Sequence, residues 1–260
     1  MWRYFFLLTF LSSEIAEGQD LEFLSEVPIE KPFLGSLDRK GALFLAEHPG
    51  IVNKYNKDGE LELTYSPPRI SKIGLIEAWS TLDVLVFYNG FQSVSILNRF
   101  LVPITKVSLE GKIGFARMAT FSNESNLWVI DDSDFSLKLL DLQLDQTTIS
   151  TPFNQILDPV DYDITYLREY QNQLFILDKN SGILIFDNLG NHLRTIEVSG
   201  LDFIGFLNDE LYYSDSLNLK IKNIYTEEER SIPLPEVGTV LMSRERIFLI
   251  QDDVLKVYAY

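Results

Sequence analysis

The chain has 260 residues, 46% of them hydrophobic and 13% aromatic, and it contains no cysteine. Its 38 acidic and 22 basic side chains leave a formal charge of −16, which argues against nucleic acid and anionic lipid as general partners because both carry the same sign. The lack of cysteine excludes disulfides and a lipid-modified cysteine anchor, and a chain of this size buries a large core without such staples.

In chain order, the first predicted segment is the apolar start, MWRYFFLLTF. One basic residue, Arg3, precedes an apolar run over 4–11, and Ala16-Glu17-Gly18 supplies the small residues of a cleavage site. The pattern predicts a secretory signal over 1–18 and a processed chain beginning at Gln19. The run is too short to cross a bilayer as a helix, which takes about 20 apolar residues. An apolar first strand is the competing reading, and Glu14 and Glu17 are unusual so close to a cleavage site. Export without cysteine points to a bacterial envelope, periplasmic or extracellular.

After a short strand near 21–27, one phrase recurs six times: an apolar strand, a turn, a second strand. The first strands are LFLAE at 43–47, VLVFY at 84–88, LWVID at 127–131, LFILD at 174–178, LYYSD at 211–215 and IFLIQ at 247–251. Their starts lie 41, 43, 47, 37 and 36 residues apart. That period in an all-strand sequence predicts a radial β-propeller with one four-stranded sheet per repeat. No linker or composition shift divides it, so 19–260 reads as a single domain.

Each repeat divides into strands A to D from the axis outward. The third places them at 113–122, 127–131, 137–142 and 147–150; the fourth at 163–170, 173–178, 183–187 and 192–198. Asn188-Leu189-Gly190-Asn191 and Asn56-Lys57-Asp58-Gly59 provide turn residues between C and D. The last repeat has strands near 237–243, 246–250 and 254–258, and then the chain stops. It lacks an outer strand, and the spare one at 21–27 completes it. The expectation is an all-β, six-bladed propeller whose last blade takes its outer strand from the processed N-terminus.

Two positions of the repeat resemble sites but have simpler readings. The second residue of strand B is Phe44, Leu85, Trp128, Phe175, Tyr212 or Phe248, an aromatic series expected to fill the space between blades. Strand B ends at Asp131, Asp178 and Asp215 in three repeats. The ring holds these apart, so they read as caps accepting backbone N–H bonds in the B–C turn, not as ligands of one ion.

The segment LFILDKNSGILIF at 174–186 resembles NHL-type and related six-bladed propeller repeats, and the pattern extends over the whole of 19–260. The relatives this implies include lactonases with a metal on the axis, peptidyl-glycine lyases, sugar and protein binders, and envelope scaffolds. Fold membership does not choose among them.

Chemistry-bearing residues are sparse. His48 and His192 fall in turns at opposite ends of their strands and support neither a zinc site nor a histidine-based triad. HExxH, P-loop, GxSxG and dinucleotide-binding glycine patterns are all missing from the sequence. Attention therefore falls on the D–A and B–C loops, which share one end of the ring. The longest, TPFNQILDPVDY at 151–162, carries Asp158, Asp161 and Tyr162. Arg69, in the link between the first two repeats, is expected beside Asp132 and Asp134. Asp161 and Asp163 alternate and are candidate ligands for Ca²⁺, with the remaining ligands to come from other blades. The leading functional expectation is a monomeric, non-catalytic exported propeller, without a cofactor, that binds a protein, peptide or cell-surface component through this loop face. The alternative is a Ca²⁺-dependent hydrolase or lyase with carboxylates at the central channel. Sugar binding is a third reading and would need exposed aromatics such as Phe91 and Phe135.

Overall fold

Strand alternation and Gly- or Asn-bearing turns build the chain into successive antiparallel sheets. The computed structural model describes residues 21–32, 34–47, 50–80, 82–123 and 125–260, and among them there are 24 strands and no α-helix. The expected signal segment and His48 lie outside the described residues.

The first strand, β1 (Glu22–Pro28), stands apart from the blade that follows it in sequence. Blade one contains β2 (Leu34–Leu37), β3 (Leu43–Glu47), β4 (Ile51–Tyr55) and β5 (Leu61–Tyr65). Blade two has β6 (Ile73–Glu77), β7 (Asp83–Tyr88), β8 (Ser93–Asn98) and β9 (Pro103–Ser108). Blade three comprises β10 (Ala116–Asn123), β11 (Asn126–Asp131), β12 (Ser136–Asp141) and β13 (Gln146–Pro152). In blade four these are β14 (Ile164–Tyr170), β15 (Gln173–Asp178), β16 (Gly182–Asp187) and β17 (His192–Ile196). Blade five is formed by β18 (Gly205–Leu207), β19 (Glu210–Asp215), β20 (Asn218–Asn223) and β21 (Glu229–Pro233). The chain then ends in β22 (Thr239–Met242), β23 (Arg246–Ile250) and β24 (Val254–Ala259).

The sixth sheet has the order β1-β24-β23-β22. Strand β1 runs antiparallel to β24, with Glu26 opposite Lys256 and Val27 opposite Leu255. The outer strand of the last blade therefore comes from the start of the described chain, which closes the ring and removes an open edge. Blade one also reaches back to blade six: Arg246 pairs with Asp58 and Lys57 with Glu245, each at 3.0 Å. Gly59, with φ +85°, brings this turn within van der Waals range of Val257 and Val27. A side chain there would meet both a positive φ and a crowded neighbour.

Apolar side chains fill the wedges between neighbouring blades. Strands β3, β7, β11 and β15 are almost continuously buried, whereas β9 is largely exposed. An inner strand has a blade on each side, and an outer strand faces solvent. All six residues of the strand-B series, from Phe44 to Phe248, are buried as expected of core.

Two expected boundaries move for local reasons. Strand β10 begins at Ala116, not 113, because the amides of Gly114 and Phe115 donate to the Asp131 carboxylate instead of a ladder (3.0 and 2.9 Å). The long loop is shortened when β13 runs on to Pro152. Its next residues form a turn in which the amides of Ile156 and Leu157 donate to the Phe153 carbonyl. Phe153 and Leu157 are buried in the core, so much of this loop is packing.

Candidate functional site

The innermost strands carry the polar groups that four successive blades bring to the axis: Ser36 on β2, Glu77 on β6, Thr120 on β10 and Arg168 on β14. All four are buried. Ser36 Oγ accepts from the amide of Ala78 at 3.0 Å, tying the end of β6 to blade one. The Thr120 hydroxyl donates to Glu77 Oε2. Burial pushes the Glu77 carboxyl above its ordinary value, although the Arg168 charge, Thr120 and the Phe121 amide all oppose that rise.

Alternation along β14 places Tyr166, Arg168 and Tyr170 at every second position, and Arg168 pairs in register with Phe175. Only 5% of Arg168 is exposed. Its Cζ lies 4.8 Å from the ring centroid of Trp79 and 5.5 Å from those of Tyr170 and Phe206. Tyr170 and Phe206 are themselves stacked, with centroids 4.7 Å apart and planes 22° from parallel. Burial disfavours the guanidinium charge, but Tyr166 and Glu77 outweigh that penalty and hold Arg168 protonated. The three ring faces stabilise the same cation. The Tyr166 hydroxyl also bonds the guanidinium, while Nε and Nη2 are buried without a hydrogen-bond partner among the described residues.

This side chain lines a cavity of about 470 Å³ at the A–B end of the ring. The rim includes the turn at Asp38–Gly41, Asn208 of blade five, and Ser243, Arg244 and Glu245 of blade six. Aromatic walls come from Trp79, Tyr166, Tyr170, Phe203, Phe206 and Tyr212. Five basic side chains, Arg39, Lys40, Lys57, Arg168 and Arg244, face two acidic ones, Asp38 and Glu245. Both acids are engaged: Asp38 accepts from the amides of Lys40 and Ala42, and Glu245 pairs with Lys57. A positive mouth thus opens in a chain whose overall charge is −16.

Gly205 makes one wall possible. A Cβ there would lie 2.1 Å from the Tyr212 ring, whose hydroxyl crosses to blade six and accepts from the Met242 amide at 2.8 Å. Phe203 lines this cavity and also a second one, of about 670 Å³, at the opposite end.

The loop residues expected to form a binding face lie at that opposite end. Asp132 takes its cation from Arg117, at 2.8 Å, and not from Arg69. It also accepts from the Tyr162 hydroxyl at 3.1 Å, while the Arg117 guanidinium sits 4.8 Å from the Tyr162 ring centroid. Arg69 is exposed on the link between β5 and β6. Asp134 pairs with Lys138 at 2.6 Å. Asp158 accepts from the Val160 amide at 2.9 Å, and Asp161 from the Asn180 side chain at 3.1 Å. Asp163 is exposed, its amide donating to Asp178 Oδ2 at 2.6 Å. The structure thus joins Asp132 with Tyr162 and Asp161 with Asn180, while Asp158 and Asp134 serve their own turns. Among the described residues, no three His, Cys, Asp or Glu side chains converge as metal ligands.

Phe135 is wedged against Phe153 and Tyr162, and Phe91 packs on Tyr88. His192 is exposed and within 3.0 Å of the Thr195 hydroxyl. The residues sequence reasoning missed are Trp79 and Arg168. Their available signal was an arginine between two tyrosines in an inner strand, together with a glutamate two residues before a tryptophan.

No protein-family model matches the chain, and no curated protein sequence matches it. Solved structures do. Virginiamycin B lyase from Staphylococcus aureus superposes with a TM-score of 0.62 at 12% identity, over 93% of this chain and 100% of that one. The Pan2 WD40 domain of Neurospora crassa gives 0.59 at 12% identity, over 95% and 98%. BamB from Moraxella catarrhalis gives 0.52 at 10%, over 93% and 100%. At these identities the likeness concerns the fold alone: the chain is a six-bladed β-propeller.

Proposed function

We propose that this protein is an exported, non-catalytic binding propeller that engages a protein, peptide or cell-surface component at the A–B end of its axial channel. The observation that carries the reading is the cavity there: concave, aromatic-walled, and basic against an acidic whole. Ligand sites are typically concave, with apolar walls and a few placed polar groups. The loops at the other end have most of their acids and aromatics engaged with one another, which weakens their claim as the recognition face. Export rests on the sequence at 1–18 and on the small residues before Gln19. The strand, Asp-bearing turn and strand of the third, fourth and fifth repeats support an NHL-like origin.

A photo-crosslinking amino acid placed at Arg39, on the cavity rim, and separately at Val160, at the opposite end, tests the assignment in cells. Specific adducts are expected from position 39 and not from 160. Adducts from 160 alone would overturn the choice of end, and none from either would overturn binding through the channel ends. N-terminal sequencing of the native protein is expected to begin at Gln19; retained Met1 would contradict export. A melting temperature raised by Ca²⁺ and reversed by chelator would favour the metal-dependent alternative instead.

A further inference from the structure

We propose that the basic mouth of the axial cavity recognises an acidic segment of a partner polypeptide, with Lys40 and Arg244 as the groups that receive its carboxylates. The proposal rests on the reading of the A–B end as the binding end, and it names the partner chemistry recognised there.

Convergence is the first observation. Lys40 and Arg244 sit on the A–B turns of blades one and six, and those turns touch: a Cβ at Gly41 would lie 3.4 Å from the Ser243 Cβ. The two cations adjoin that contact, one on each turn, and both are exposed. Gly41 holds a φ of +83°, which glycine adopts without strain. Asp38 fixes the same turn through the amides of Lys40 and Ala42. The Lys40 backbone is thus held in place while its ammonium stays in solvent.

Availability is the second. Neither cation pairs with a carboxylate among the described residues; Arg244 Nη2 lies 3.5 Å from the amide oxygen of Asn208. The acids nearby have other uses. Glu245 pairs with Lys57 at 3.0 Å, and Asp209 accepts from the Gln171 side chain at 3.0 Å. Arg39 rests against the Trp79 indole, 5.3 Å from its centroid. Arg168 is buried below, engaged by Tyr166 and Glu77; it adds positive potential to the mouth and makes no contact with the ligand. That potential draws an anion to the two free cations, which differ in kind: a planar fork on Arg244 and a point charge on Lys40.

The walls favour a polypeptide over an acidic glycan. A sugar ring stacks on a free aromatic face, and here the faces are engaged. Arg39 and Arg168 both lie against Trp79, Tyr170 is stacked on Phe206, and Phe203 meets Tyr166 edge to face. The cavity of about 470 Å³ is bounded as well by Leu207, Leu241 and Met242. An apolar side chain between carboxylates suits that lining.

The test uses the processed protein carrying 5-fluorotryptophan, so that Trp79 and the buried Trp128 report separately by ¹⁹F NMR. The first probe is an acetylated, amidated pentapeptide, a phenylalanine with two glutamates on each side. The second replaces every glutamate by glutamine, and the third is trigalacturonate, an acidic glycan. The glutamate peptide is expected to shift the Trp79 resonance saturably, leave Trp128 unmoved, and weaken as salt is raised. The glutamine peptide is expected to bind about tenfold or more weakly. Lys40→Glu/Arg244→Glu is expected to weaken the glutamate peptide by a similar factor, with the Trp128 resonance reporting that the variant is folded. Because the two peptides are compared on the wild-type protein, a misfolded variant leaves the test intact. Equal affinity of the two peptides would overturn acid recognition while leaving the cavity as a peptide site. Tighter binding of trigalacturonate than of the glutamate peptide would overturn the choice of a polypeptide. No saturable Trp79 response to any probe would overturn the proposal outright, and the crosslinking at positions 39 and 160, which leaves Lys40 and Arg244 in place, then judges the binding end independently.

Discussion

Asp131 and Glu169 are both acids with buried surroundings, and the fold treats them oppositely. Burial alone would raise Asp131, but Lys138, Ser133 and the amides of Phe115 and Gly114 together hold it far below its ordinary value. Its carboxylate therefore contributes stability that is present above its ordinary pKa of 3.8 and is lost as the pH falls below that. Asp131→Asn is expected to cost about 2–4 kcal/mol at neutral pH in urea denaturation, with the deficit shrinking in acid. Glu169 pairs with no cation among the described residues. Burial raises it, and the bonds from Ser122 and Trp128, at 2.8 and 2.6 Å, only partly oppose that. The folded state holds its proton more tightly than the unfolded chain, so stability falls as the pH rises through the ordinary value of 4.5. Glu169→Gln is expected to be more stable than wild type at pH 7 by up to about 1 kcal/mol, converging in acid. The capping role of Asp131 and Asp178 was legible because a recurring acid at a turn has a local use. Asp178 accepts from the amides of Asp163, Asn180 and Ser181. The partnership of Glu169 with Trp128 was not legible, since it joins two blades.

Strand β1 is a single strand whose removal opens a ring. Val27 packs with the cluster between blades six and one, opposite Leu255. Val27→Asp is expected to cost about 2–4 kcal/mol, because it places a charge against that cluster. Deletion of 19–27 should destabilise the domain further; unchanged denaturation would contradict closure by this strand. Gly205→Ala on β18 is expected to cost about 2 kcal/mol or more, since the new methyl overlaps the Tyr212 ring. The strand order and the borrowed strand could be read from the sequence because alternation and turn residues are local signals. The loop at 151–162 stood out in the sequence by its length alone; that Phe153 and Leu157 are buried in the core could not be read there.

Across the ring, the candidate site is built from residues that only closure brings together. Trp79, Arg168 and Phe206 come from blades two, four and five, and no spacing rule links positions so far apart in sequence. A net charge of −16 conceals the basic mouth, because the sum averages over a surface whose acids lie elsewhere. The two ends of the channel thus differ in character: one aromatic and basic, the other more acidic and built of B–C turns and D–A loops. The direct measurement is the yield of crosslinked adducts in cells from position 39, with Arg244→Glu at the basic mouth and with Arg69→Glu at the opposite end. The account predicts that the first variant loses adducts by about tenfold or more while the second crosslinks like wild type. Loss in Arg69→Glu with the mouth variant unaffected would contradict it.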